Sequence, residues 1–249
     1  MSTHHRRPLP PGTPAFTSPE GRDLLRAALA AGTAEAFFPL ISQLHTQAEP
    51  AWCGLGTLIT VLNALEIDPG RPWRGPWRHY GEELLTCCKS LDAQRAEGLT
   101  LDELVCLAAC NGANGPVRRP DAAPIDRFRD DLRAACAAPA GVAMVVAYSR
   151  GALGQTGDGH FSPIGAWEPA SDRALVLDVA RFKYPPHWVS VGALYEATRS
   201  PDPATGRPRG WVVLRRSEAF TGDRAQALAL GEQLAALACC PLPLPPAEG

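Results

Sequence analysis

Cys53, His160 and Asp178 are the side chains whose types and order in this sequence could do nucleophilic chemistry. Cys53 lies in Gln47-Ala48-Glu49-Pro50-Ala51-Trp52-Cys53-Gly54-Leu55-Gly56. Leu55, Leu58, Ile59, Leu62 and Leu65 then recur at helical spacing and make one buried face. Pro50 keeps the residues before the cysteine out of that helix, so Cys53 falls in its first turn. Unpaired N–H groups and the positive end of the macrodipole stabilise a thiolate there. Such positions lower a cysteine pKa from about 8.5 to roughly 3.5–7.5. Gln47 carries an amide that could donate to the oxyanion formed when Cys53 attacks a carbonyl. The competing reading is a buried cysteine packed as a small hydrophobe beside a surface glutamine.

Gly157 to Trp167, a turn from Glu168 to Asp172, and Arg173 to Ala180 read as an antiparallel hairpin. Folding it about the turn brings His160 near Asp178, and an even register puts both side chains on one face. Imidazole would take the thiol proton while the carboxylate holds its tautomer. Taken alone, the pair reads better as a satisfied core histidine beside a surface aspartate. A helix-start cysteine with an upstream glutamine, then a strand histidine, then a strand acid is the chain order of papain-like enzymes. The stretch between Cys53 and His160 is shorter than in the papain peptidases, and Trp-Cys-Gly-Leu-Gly replaces their Cys-Gly-Ser-Cys-Trp.

The elements that must position these groups follow in order. Residues 1–20 hold five prolines and no acidic residue before Glu20, which predicts a disordered tail with His4, His5, Arg6 and Arg7 as a solvated terminus. Gly21 to Gly32 reads as a helix, and Phe37 to Ile41 as an apolar lead into the cysteine segment. Asp68-Pro69-Gly70 ends the cysteine helix, and Trp73, Pro76 and Trp77 punctuate a loop. Glu82 to Leu91, Leu101 to Cys110 and Ile125 to Ala135 read as helices, Thr100 and Glu103 forming a capping box for the second. Gly141 to Tyr148 is a β-rich apolar run, a central strand. Trp211 to Leu214 is a short apolar run. The expected class is α+β, with a helical lobe over 21–137 and an antiparallel β lobe over 138–220. Residues 221–249 then add a helix, Ala225 to Ala238, and a Pro-rich end.

With 45% hydrophobic and 20% charged residues, the 249-residue chain reads as soluble and globular. A net charge of −2 gives no field to hold a polyanion, which argues against nucleic acid as a partner. The longest apolar runs are too short to cross a bilayer, and no secretory h-region precedes residue 20. Eight cysteines include two vicinal pairs, Cys87-Cys88 and Cys239-Cys240, which do not look like a secreted disulfide framework. They read as thiols in a reducing compartment, the cytoplasm. Cys106 and Cys110 share a helix face and could join Cys87 or Cys88 around a soft metal ion. With no CxxC pair present, buried structural thiols are the better reading.

From about Phe37 to Ala197 the chain resembles the phytochelatin synthases, the glutathione γ-glutamylcysteinyltransferases of plants, algae and some other organisms. FFPLISQLHTQAEPAWCGL, VLNALEIDPGRPWRGPWR, VCLAACNGA, GQTGDGHFSPIGAW and LDVARFKYPPHW carry the resemblance. It implies a papain-like fold, a Cys53, His160 and Asp178 triad, and Gln47 in the oxyanion hole. It implies substrate contacts at Arg181 and Tyr184, and at Gly159, Phe161 and Ser162 around the histidine. It matches Cys87, Cys88, Cys106 and Cys110 to cysteines linked to metal response. The implied reaction moves a γ-glutamylcysteinyl unit from glutathione, with release of glycine, to a second glutathione or a growing phytochelatin. No organic cofactor is expected. Cd²⁺ or Zn²⁺ is the expected activator, entering as the metal–glutathione thiolate, and a homodimer is an expected assembly. Plant members carry a long cysteine-rich C-terminal half, whereas this chain stops soon after Cys239-Cys240, so a hydrolase that only releases glycine is the alternative enzyme. A non-catalytic thiol protein that buffers soft metals is the alternative of another class.

Overall fold

The computed structural model describes residues 7–217. An antiparallel seven-stranded sheet comprises β1 (Ala113–Asn114), β2 (Val117–Arg118), β3 (Val142–Ser149), β4 (Gly159–Glu168), β5 (Arg173–Val176), β6 (His187–Ser190) and β7 (Gly210–Arg216). Its spatial order is β1-β7-β3-β4-β5-β6, with β2 also paired to β7. Around it lie α1 (Pro19–Ala30), α2 (Phe37–Ser42), α3 (Cys53–Ala64), α4 (Leu91–Glu97), α5 (Leu101–Cys110), α6 (Ile125–Cys136) and α7 (Val191–Arg199).

β3 is apolar at nearly every position because each of its faces meets a core. Ala143, Val145 and Ala147 join the core built by α1, α2, α3 and α5. Val142, Met144, Val146 and Tyr148 join the core built by α6 and α7. α6 therefore leaves the helical lobe predicted for residues 21–137 and packs across the sheet from α3. In α3, Leu55, Leu58, Ile59 and Leu62 are all buried, and each contributes about 1.5–3 kcal/mol on leaving water. The helix is enclosed on every side, so its start cannot shift without disturbing the core.

Three expectations need correction. The helix predicted from Glu82 to Leu91 is a single 3-10 turn over Glu82–Leu84, and α4 begins at Leu91 with Ser90 as its N-cap. Buried Gln94 gives the reason, since its amide donates to the carbonyls of Leu85 (2.9 Å) and Lys89 (2.7 Å) and so satisfies groups a helix would have paired. The predicted strand from Arg173 to Ala180 ends at Val176, leaving Asp178 in the following loop.

Residues 7–18 are not a disordered tail either. The Phe16 N–H donates to Pro186 O (2.8 Å), the Trp188 N–H donates to Pro14 O (2.9 Å), and Ala15 bridges His187. This segment is a strap along β6, and Ser18 then caps α1 by accepting from the Gly21 N–H at 3.0 Å. The C-terminal helix expected at 225–238 and the Cys239-Cys240 pair lie outside the described residues. Among the described residues no helix is long and apolar enough to cross a membrane.

A β-bulge decides how the hairpin presents its side chains. Near the turn Ala166 pairs with Leu175, but beyond Gly165 the register shifts and Ile164 pairs with Val176. The Leu177 N–H to Pro163 O bond (3.0 Å) carries the shifted register on to Asp178. Without the extra residue Asp178 would stand opposite Pro163, on the other face from His160.

The strap yields a test at Gly21, where a Cβ would lie 2.1 Å from Ala15 O and 2.8 Å from Phe16 O. Gly→Ala inside a helix ordinarily stabilises by roughly 0.5–1 kcal/mol, whereas forcing packed atoms apart costs about 1–3 kcal/mol. Gly21→Ala should therefore lower the thermal midpoint by several degrees. A raised midpoint would mean that the strap does not dock on α1.

Candidate active site

Cys53 opens α3, half-buried, with no side-chain cap on the preceding Trp52. The loop before it is held by Gln47, whose N–H donates to Val179 O at 3.1 Å. The Gln47 side chain is buried, not at the surface, and its Nε2 donates to Glu49 O (2.8 Å) and Pro50 O (2.9 Å). Both amide protons are thus engaged. Nε2 reaches an oxyanion only by leaving a carbonyl, and the first-turn N–H of Cys53 is the donor already free of the helix ladder.

His160 enters from β4 with Nε2 3.0 Å from Asp178 Oδ1. A carboxylate only accepts, so Nε2 carries the proton and Nδ1 is left for the Cys53 thiol, which hydrogen-bonds the ring. Asp178 is fully buried. Its Oδ1 also accepts from the Ala180 N–H (2.9 Å), and Arg150 Nη2 lies 2.9 Å from both carboxylate oxygens. Arg150 follows directly on β3, is itself buried, and stacks its guanidinium 5.1 Å from the centre of the Tyr184 ring.

These neighbours set the charge states. Burial alone would raise the Cys53 pKa, but the charge and hydrogen bond of His160, the Phe161 N–H and Arg150 outweigh it, so the thiol ionises more readily than usual. Burial likewise disfavours protonated His160, yet Asp178 and Cys53 outweigh both burial and the repulsion from Arg150, and its pKa is raised. Asp178 is held well below the usual carboxylate range, since His160 and Arg150 outweigh its burial. Both shifts favour a thiolate beside an imidazolium, the charge states of a nucleophile with its acid in place.

A cleft of about 290 Å³ opens onto Cys53 and His160. Gly159, Phe161, Glu97, Arg119, Asp158, Asp202 and Arg209 line it. Arg209 is mostly buried, pairs with Asp158 at 3.2 Å, and stands where any Cβ on Gly159 would collide with it at 2.8 Å. Arg119 pairs with Asp102 at 3.0 Å.

Of the other predicted contacts, Arg181 is exposed and donates to Thr46 Oγ1 at 3.3 Å. Tyr184 and Ser162 are buried, so neither offers a surface to a substrate. The Tyr184 hydroxyl accepts from the Thr156 N–H (2.8 Å) and that of Ser162 lies 3.4 Å from Tyr148 Oη. The four metal-linked cysteines do converge. Cys88 Sγ is 2.6 Å from Cys106 Sγ, 3.3 Å from Cys110 Sγ and 3.7 Å from Cys87 Sγ. The sulfurs of Cys87, Cys88 and Cys110 all lie within 4.8 Å of one another.

Arg150 and the charged groups of the cleft went unread in the sequence. An arginine closing a wholly apolar strand was the available signal, because a charge there must be buried and paired.

A family model described as phytochelatin synthase matches residues 4–211. Glutathione gamma-glutamylcysteinyltransferase 1 of Triticum aestivum is 50% identical over 221 residues, which is 88% of this chain and 44% of that protein. Its namesake in Arabidopsis thaliana is 48% identical over 217 residues, 87% of this chain and 44% of that protein. Glutathione gamma-glutamylcysteinyltransferase of Schizosaccharomyces pombe is 45% identical over 210 residues, 84% of this chain and 50% of that protein. The chain spans about half the length of these relatives.

Asp178 serves two partners, and that duality can be measured. Asp178→Asn should lower turnover by orders of magnitude, about 10⁴ in a comparable triad. It should also lower stability on the order of 3 kcal/mol, because Arg150 would remain buried without its anion. Adding Arg150→Met should recover part of the stability and none of the turnover. Additive losses in the double-mutant cycle would mean that the two charges are not coupled.

Proposed function

The chain belongs to the phytochelatin synthase family, and on that premise we propose that it transfers γ-glutamylcysteinyl units between glutathione molecules through a thioester on Cys53. The observation that carries this reading is the half-buried Cys53 thiol hydrogen-bonded to a histidine that buried Asp178 holds in one tautomer. The thiolate attacks the carbonyl of the cysteinyl–glycine amide, and the first-turn N–H groups of α3 stabilise the oxyanion, joined by Gln47 when its amide turns. His160 gives its proton to the departing glycine amine, leaving the thioester. The α-amine of a second glutathione then attacks, its proton passes to His160, and the thiolate returns.

The cleft supports a substrate of this kind, since a zwitterionic γ-glutamyl group needs both signs of charge. Arg209 and Arg119 offer one sign and Glu97, Asp158 and Asp202 the other. Gly159 keeps the wall thin beside Arg209, and the Phe161 N–H steadies the thiolate. Exposed Arg181 can pair with a carboxylate of the incoming glutathione, while Tyr184 and Ser162 support the site from behind.

Cadmium or zinc enters as substrate, held by glutathione sulfur. The cluster of Cys87, Cys88, Cys106 and Cys110 is a second place for a soft ion, and its sulfur-only donor set fits one. Among the described residues the cysteines are thiols rather than disulfides, which fits a reducing compartment such as the cytoplasm.

Mass spectrometry after incubation with glutathione should find a γ-glutamylcysteinyl adduct on Cys53, and (γGlu-Cys)n-Gly products that vanish in Cys53→Ser. An adduct on another cysteine would overturn the assignment of the nucleophile. Free γ-glutamylcysteine as the sole product would make the protein a hydrolase, and metal uptake without turnover would make it a thiol buffer. In the presence of a chelator, S-alkylated glutathione should support transfer while free glutathione should not. If the alkylated substrate also needs cadmium, the ion acts on the protein, and the four-cysteine cluster becomes its site.

A further inference from the structure

The polar groups behind Asp178 form one continuous line whose direction can be read. It starts at His187, fully buried on β6 beneath the strap, with Nδ1 2.8 Å from Pro185 O. A carbonyl only accepts, so Nδ1 carries the proton, and burial keeps the ring neutral with a bare Nε2. That nitrogen lies 2.8 Å from Gln155 Nε2 and accepts from it, which fixes the orientation of the amide. Gln155 Oε1 therefore faces Arg150 and accepts from Nη1 at 2.6 Å. The guanidinium, so held, presents Nη2 to Asp178, and Asp178 in turn accepts from His160. Were His187 to carry a second proton, Gln155 would have to turn over. It would then set N–H groups against N–H groups at Arg150.

We propose that His187, acting through Gln155 and Arg150, is a positioning residue that sets the place of the Asp178 carboxylate and through it the orientation of His160. None of these three residues needs to touch substrate. Arg150, Gln155 and His187 are buried, with His187 and the guanidinium on opposite sides of the Gln155 amide. Asp178 lies in the loop after β5, one residue past the Leu177 N–H to Pro163 O bond that sets its face, and this line restrains its carboxylate. The proposal rests on the transferase reading for its turnover measurement alone.

The test uses the full chain. Gln155→Met keeps the volume and removes both polar ends. His187→Met removes the acceptor and the donor together, whereas His187→Gln can offer an oxygen to Gln155 and an N–H to Pro185. Turnover for glycine release should fall on the order of a hundredfold in the two methionine variants, the scale of a small misplacement, with KM within about twofold of the parent. His187→Gln should recover most of that loss. A second measurement needs no substrate: the iodoacetamide alkylation rate of Cys53 at about pH 6, followed by peptide mapping, reports the thiolate fraction. The charged and titratable groups facing Cys53 and His160 are Asp178, Arg150, Tyr148 and His187, with Lys183 beyond Asp178, and only their arrangement is altered by Gln155→Met. That rate should fall in parallel with turnover.

Unchanged turnover and alkylation in folded Gln155→Met would overturn the proposal. Equal losses in His187→Gln and His187→Met would overturn it too, since a role in packing alone does not distinguish an acceptor from a thioether. If Gln155→Met fails to fold, the His187 pair decides. If the parent chain releases no glycine from glutathione, the substrate reading fails, and the alkylation comparison alone decides this proposal.

Discussion

A carboxylate with no access to water is the constraint from which this site is built. Asp178 is fully buried and lies beyond the end of its strand, so desolvation opposes its charge and its carboxylate depends on polar partners. Two cationic partners, Arg150 and His160, offset that cost, and a backbone N–H from Ala180 completes the set. The charge that orders the His160 imidazole is therefore also the charge that lets an arginine stay in the interior. Chemistry and stability share one group.

The thiol half is held by different means. α3 is buried at nearly every position, and its packing is joined by polar ties from Thr60 to the His45 N–H and from Asn63 to the Tyr80 backbone. Gln47 ties the loop before Cys53 both to its own carbonyls and to the segment just after Asp178, through Val179 O. Cys53 and Asp178 are thus joined by a short backbone link as well as through His160. Gly56 permits this contact, because a Cβ there would lie 3.2 Å from the Gln47 side chain.

Charge is distributed unevenly over the rest of the molecule. The cleft gathers arginines and acids in its lining. The cysteine cluster gathers sulfur with no carboxylate among its three convergent ligands. Hard and soft donors are kept apart, so a soft ion and a charged peptide need not compete for one place. The irregular stretch through Cys87 and Cys88 matters here, since a regular helix over Glu82 to Leu91 would not bend two neighbouring cysteines toward α5.

Much of this could be read from local pattern. Apolar spacing after Cys53 marked α3 and its first turn, Thr100 and Glu103 marked the start of α5 through a capping box that is present, and the apolar run at Val142 marked the central strand. These features depend on residues close in sequence, and helix and strand periods are local properties. The triad residues were legible as types in an order. Their juxtaposition was not, because it depends on a bulge at Gly165 that moves Asp178 onto the face of His160. The strap over β6, α6 on the far face, the buried state of Tyr184 and Ser162, and the line from His187 to Asp178 likewise arise between distant segments. Composition predicted a free tail from a Pro-rich segment whose stretch from Pro14 to Phe16 pairs along an edge strand. An amino-acid sequence specifies which groups can ionise or donate. Which of them lose water, and must therefore find each other, is decided only when the chain closes around them.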